Sequence, residues 1–224
     1  MRTGARQRRP NSCASEPYWS YEDIGAFVVF VTLLGATIRL LVRVQVLPHS
    51  ATGEPSAAIQ FGVIALLSGA LYMILKWRYH RAVIVPLGWV LPTLFYYMLS
   101  LLLGIASGCA VALYLHTGNQ LFSHVAVDEL LVGIAFGPIL EESFFRGCLL
   151  PLLGQTTGNA AAIIITALTF ALFHSPGDVQ HWLCFTATGV VYGWLRVASR
   201  STAASAIMHA FYNLALCLMA ESLR

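Results

Sequence analysis

Residues 128–153 read DELLVGIAFGPILEESFFRGCLLPLL, and the fold is decided by how that stretch is taken. It has the length of a membrane span, for which about 20 mainly apolar residues are needed. Near its middle stand two adjacent glutamates and an arginine, in Glu141-Glu142-Ser143-Phe144-Phe145-Arg146. An ionised side chain at the centre of a bilayer helix costs roughly 2.5–3.5 kcal/mol, so it is seldom there without a partner or a task. Three charges in six residues need a reason, and function is to be sought there.

Outward from this stretch the chain stays apolar. Its 224 residues are 58% hydrophobic and 10% charged, where a soluble domain carries about 25% charged residues. The class is an integral membrane protein, an all-α polytopic transmembrane bundle. Apolar windows predict seven spans: about Ile24 to Arg43, Ala57 to Leu75, Pro92 to Leu115, Asp128 to Leu153, Asn159 to His174, Val179 to Val197 and Thr202 to Glu221. The stretch from Ala82 to Leu91 is short and carries Pro86 and Gly88, which favours an interfacial segment; an eighth span results if it crosses.

Residues 1–22, with Arg2, Arg6, Arg8, Arg9, Pro10 and Pro17, are expected to be a disordered polar tail. Residues 23–224 form a single transmembrane domain with a motif-bearing core at 128–220. The net charge of +3 is small and the basic residues sit in the breaks, which reads as topology and gives no case for a nucleic-acid partner. Alternating span ends from a cytoplasmic amino terminus gathers Arg2, Arg6, Arg8, Arg9, Lys76, Arg78, Arg81, Arg196 and Arg200 inside, against Arg39, Arg43 and Arg224 outside. Four of the five cysteines lie in apolar runs with no CxxC, the pattern of free buried thiols rather than of disulfides or a zinc knuckle. A short chain without targeting extensions points to a prokaryotic inner membrane.

Chemistry is carried by few residues. Glu142 and Arg146 stand four apart on one helix face, in the order that favours pairing, which leaves Glu141 pointing elsewhere with a free carboxylate. The bland alternative is a charge network that only holds helices together. His174 closes the fifth span, and His209 and Asn213 share a face of the seventh. Each alone is explained by an interfacial position or an interhelical hydrogen bond. Together with Glu141 they bring one carboxylate, two imidazoles and one amide from three apolar helices, a set able to activate water and stabilise an oxyanion. His49, His80, His116, His124 and His181 fall in breaks or at span ends, where the polar interface accounts for them. Gly137 and Pro138 should kink or loosen the fourth helix beside Glu141, and Gly189 and Gly193 should let the sixth pack closely.

The series Glu-Glu-x-x-x-Arg at 141–146, Phe-x-x-x-His at 170–174 and His-x-x-x-Asn at 209–213, with Gly189 to Arg196 between, resembles the CPBP family of intramembrane endopeptidases. That family includes the type II CAAX prenyl proteases and bacteriocin-processing (Abi) proteins. The resemblance runs from about Gly133 to Leu216. It implies a peptidase in which Glu141 is the general base, His174 holds the water, His209 and Asn213 donate to the oxyanion, and Glu142 and Arg146 are structural or orienting. Membrane lipids and a membrane-associated peptide or protein are the implied partners. A metal-independent reaction is favoured, with no cofactor. The alternative is zinc on Glu141, His174 and His209; against it, no His-Glu-x-x-His helix is present, and a metal-bound glutamate would not be free as base. A non-catalytic immunity or scaffold protein, or a proton-relay transporter, are the readings from other classes.

Overall fold

The computed structural model describes residues 19–48, 55–80, 82–115, 132–174 and 176–222. Most of the expected tail, the 116–124 break and the start of the fourth predicted span lie outside the described residues. Among those described, seven helical rods follow in order: α1 (Tyr21–Arg43), α2 (Ala57–Tyr79), α3 (Leu94–Leu115), α4 (residues 132–157), α5 (Asn159–Phe173), α6 (Val179–Ser199) and α7 (Thr202–Ser222). By length and composition α1, α2, α3 and residues Thr202–Met219 of α7 can each cross a membrane. At 15 residues α5 falls short, since at about 1.5 Å per residue it spans less than a hydrocarbon core of about 30 Å.

The start of α1 shifts the expected tail boundary. Ser20 accepts from the Asp23 N–H and the Asp23 carboxylate accepts from the Ser20 N–H, a reciprocal capping box. Trp19 is buried and donates its indole N–H to the Cys148 carbonyl at 3.1 Å, so residues 19–22 belong to the packed domain and not to a tail. Asp23 also meets Arg78 Nε at 2.8 Å, which fixes the start of α1 to the end of α2.

Residues 82–93 form no helix and are not an eighth rod. They fold as a loop against the α6–α7 junction, with Leu87 fully buried. Its carbonyls take the first donors of α7: Thr202 N–H donates to Gly88 at 2.7 Å, and the Thr202 and Ser201 hydroxyls donate to the carbonyls of Leu87 and Val90. Gly88 has φ +81°, and a Cβ there would lie 2.5 Å from an Arg196 guanidinium nitrogen, so both backbone angle and space require glycine. Arg196, read from sequence as a topology charge, is 2% exposed inside the bundle and contributes nothing to a charged surface.

Close backbone approaches place the remaining rods. A Cβ on Gly104 or Gly108 of α3 would come within 2.5 or 2.6 Å of the carbonyl oxygens of Met208 and Tyr212, so α3 lies directly on α7. In the same way Gly189 and Gly193 seat α6 against Ala167 and Ile163 of α5. At Gly137 and Pro138, where the helix was expected to kink or loosen, α4 widens: Val132–Phe136 and Ser143–Leu149 are π-helical, flanking an α-helical Gly137–Glu142. Such turns add a residue to the ring and recur at functional sites.

Candidate active site

Glu141 and Glu142 lie in the short α-helical segment between those π turns, and consecutive side chains leave a helix about 100° apart. Glu142 therefore points into the bundle, where neither it nor Arg146 is exposed. Its Oε1 accepts from Arg146 Nη1 at 3.0 Å and from His209 Nδ1 at 3.0 Å. Arg146 Nη2 donates to the Gly189 carbonyl at 3.1 Å, and its guanidinium lies 4.6 Å from the Phe170 ring centroid and 5.1 Å from that of Tyr192. A buried cation is tolerable only with such partners, here one carboxylate, one carbonyl and aromatic faces.

Glu141 turns to the other side. Its side chain is 30% exposed, and its Oε2 is buried with no hydrogen-bond partner. That oxygen faces His174 Nε2 at 3.6 Å and His209 Nε2 at 4.0 Å. Both imidazoles are held from behind. His174 Nδ1 bonds the Phe170 carbonyl at 2.9 Å, and because a carbonyl only accepts, Nδ1 carries a proton and Nε2 is the nitrogen turned to Glu141. His209 Nδ1 likewise donates to Glu142. The fourth candidate, Asn213, sits one turn beyond His209 and donates Nδ2 to the Gly133 carbonyl at 2.6 Å, which commits one of its two amide hydrogens to the first π turn of α4.

Residues 123–215 match the family model described as type II CAAX prenyl endopeptidase Rce1-like. The chain carries an Rce1-like domain. No curated protein and no solved structure matches the chain. The Rce1-like domain holds all six candidates, Glu141, Glu142, Arg146, His174, His209 and Asn213, and the family is one of proteases. Its endopeptidase description and the four apolar helices fit an integral multi-pass membrane protein.

Three contributors to the candidate site went unassigned from sequence. Tyr192 stacks on His209 with ring centroids 4.8 Å apart, and Phe185 stacks on His174 at 4.3 Å. Both are on α6, and an apolar helix offers no pattern that marks which aromatic faces a histidine. Ser143 is a third: its hydroxyl donates to the Ile139 carbonyl at 2.6 Å, accepts from Trp89 Nε1 at 3.0 Å and lies 3.2 Å from the Tyr72 hydroxyl, joining α2, the 82–93 loop and α4. In front of Glu141 and His174 opens a cavity of about 280 Å³ walled by Phe27, Val31, Leu67, Phe144 and Phe173 among others. Three of those five walls come from α1 and α2, outside the Rce1-like domain.

Proposed function

We propose that the protein is an intramembrane endopeptidase that hydrolyses a peptide bond of a membrane-associated peptide or protein with water activated by Glu141. The observation that carries this reading is the buried, unpartnered Glu141 Oε2 facing two imidazole Nε2 atoms at the mouth of an apolar cavity. A water about 2.8 Å from both Glu141 Oε2 and His174 Nε2 can donate one hydrogen to each, leaving a lone pair free to attack the scissile carbonyl carbon. Glu141 takes the proton and returns it to the leaving amine. The oxyanion that forms is met by His209 and by the second amide hydrogen of Asn213. With Nδ1 bonded to Glu142, His209 turns Nε2 towards the reacting carbonyl and donates there when that nitrogen carries a proton.

The cavity is apolar except at the Glu141 and His174 end, so it takes an apolar portion of the substrate beside the scissile bond. The reading needs no metal. Four-coordinate zinc with bonds of about 2.0–2.1 Å sets its ligand atoms about 3.3 Å apart, whereas His209 Nε2 and Glu141 Oε2 are 4.0 Å apart. No group of three His, Cys, Asp or Glu among the described residues converges at metal-binding distances.

The test is terminus-resolved mass spectrometry of membrane and secreted proteins from cells carrying the wild type, Glu141→Gln or a deletion. New termini should appear with the wild type, fall by about 10²-fold or more in Glu141→Gln, and persist when membranes are treated with a chelator. Equal termini in wild type and Glu141→Gln would replace catalysis with peptide binding, the immunity or scaffold reading. Loss on chelation would restore zinc.

A further inference from the structure

The two π-helical segments of α4 end for one reason. In a π ladder each N–H donates to the carbonyl five residues back. The second segment runs in that register as far as Leu150, whose N–H reaches the Phe145 carbonyl. The next donor, for the Arg146 carbonyl, would be residue 151. For the first segment, Val132–Phe136, the donor for the Gly133 carbonyl would be residue 138. Both positions are proline, Pro138 and Pro151, and proline has no N–H. Two carbonyls are thus left without ladder partners on either side of the glutamates, and a buried carbonyl without a partner is costly. Each is taken by a side chain of another helix: the Gly133 carbonyl by Asn213 Nδ2 at 2.6 Å, the Arg146 carbonyl by Arg196 Nε at 3.2 Å.

Asn213 has a place in the reaction above; Arg196 has none, yet it is a fully sequestered cation on α6. We propose that Arg196 is a positioning residue, which holds the π register of α4 through the Arg146 carbonyl that Pro151 leaves free, and so sets the direction of the Glu142–Arg146 pair and of His209 behind it. The contact is to the backbone of the very residue whose side chain neutralises Glu142. A slip of α4 back to the α register would rotate every side chain before Pro151 relative to those after it, including both glutamates. The activity part of this inference rests on the endopeptidase reading; the structural part does not.

The decisive variants are Arg196→Met, Arg196→Lys, Pro151→Ala and the double variant Pro151→Ala/Arg196→Met. Alanine at 151 supplies the N–H that the Arg146 carbonyl lacks. Two readouts are taken on the full chain: hydrogen–deuterium exchange of the 143–157 amides in detergent, and substrate termini produced per folded molecule. Arg196→Met should speed exchange in that segment and lower cleavage by about tenfold or more. Arg196→Lys, still a donor, should retain more cleavage than Arg196→Met. The double variant should return both readouts to within about threefold of Pro151→Ala alone, a non-additivity expected only if the two sites share one hydrogen bond. A double variant as impaired as Arg196→Met overturns the proposal and places the role of Arg196 at its other neighbour, the loop around Gly88. Rescue of exchange in a protein whose wild type yields no termini would keep the positioning role and remove the protease reading instead.

Discussion

Glu141 and Glu142 are neighbours in sequence and opposites in surroundings, the first at a cavity and the second sealed between Arg146 and His209. Replacing each separates the two roles. Glu142→Ala leaves Arg146 and His209 without their shared acceptor; breaking a buried pair costs about 3–5 kcal/mol, so thermal unfolding in detergent should fall sharply. Glu141→Gln keeps its size and removes no hydrogen bond seen here, and its midpoint should stay near that of the wild type. Equal shifts in the two variants would dissolve the distinction. At this scale the sequence was informative, because charge in an apolar run is conspicuous and four-residue spacing fixes a shared face. It could not show that Asn213 spends a hydrogen on Gly133, or that Tyr192 lies flat on His209, since those depend on how α4, α6 and α7 meet.

Helices were legible wherever hydropathy ran long enough, and all seven rods follow the apolar windows. The π turns of α4 were not, because the sequence shows where an N–H is missing but not which ladder register the missing donor would have served. Nor was the seating of α3, whose Gly104 and Gly108 meet α7 backbone, since a glycine in an apolar helix is equally at home facing lipid. Overpacked contacts typically cost about 1–3 kcal/mol, and here the strain falls on the helix that carries His209 and Asn213. Gly104→Val and Gly108→Val should therefore lower cleavage, whereas Gly35→Val, whose Cβ would meet nothing within 4 Å, should not. Assay of substrate termini at matched protein level compares the three directly.

Across the whole molecule, the candidate catalytic groups and the cavity walls have separate origins. The carboxylates, imidazoles and amide belong to residues 123–215, while Phe27, Val28, Val31 and Leu67 of α1 and α2 face them from outside that match. Val31→Trp should occupy much of a 280 Å³ space and suppress cleavage of substrates with bulky apolar residues, at little cost in thermal stability. An unchanged profile of termini would show that substrate enters by another path. No motif announces these walls in the sequence, because any lipid-facing helix would read alike. The loop at 82–93 adds a temporal dimension. The first turn of α7 completes its hydrogen bonds on carbonyls of Gly88, Leu87 and Val90, so α7 emerges from the ribosome onto a receptor that translation has already delivered. A nascent chain halted before residue 202 holds the carboxylates and His174 without His209 or Asn213. On the mechanism proposed above such a chain lacks both oxyanion donors, so hydrolytic competence arrives only with α7.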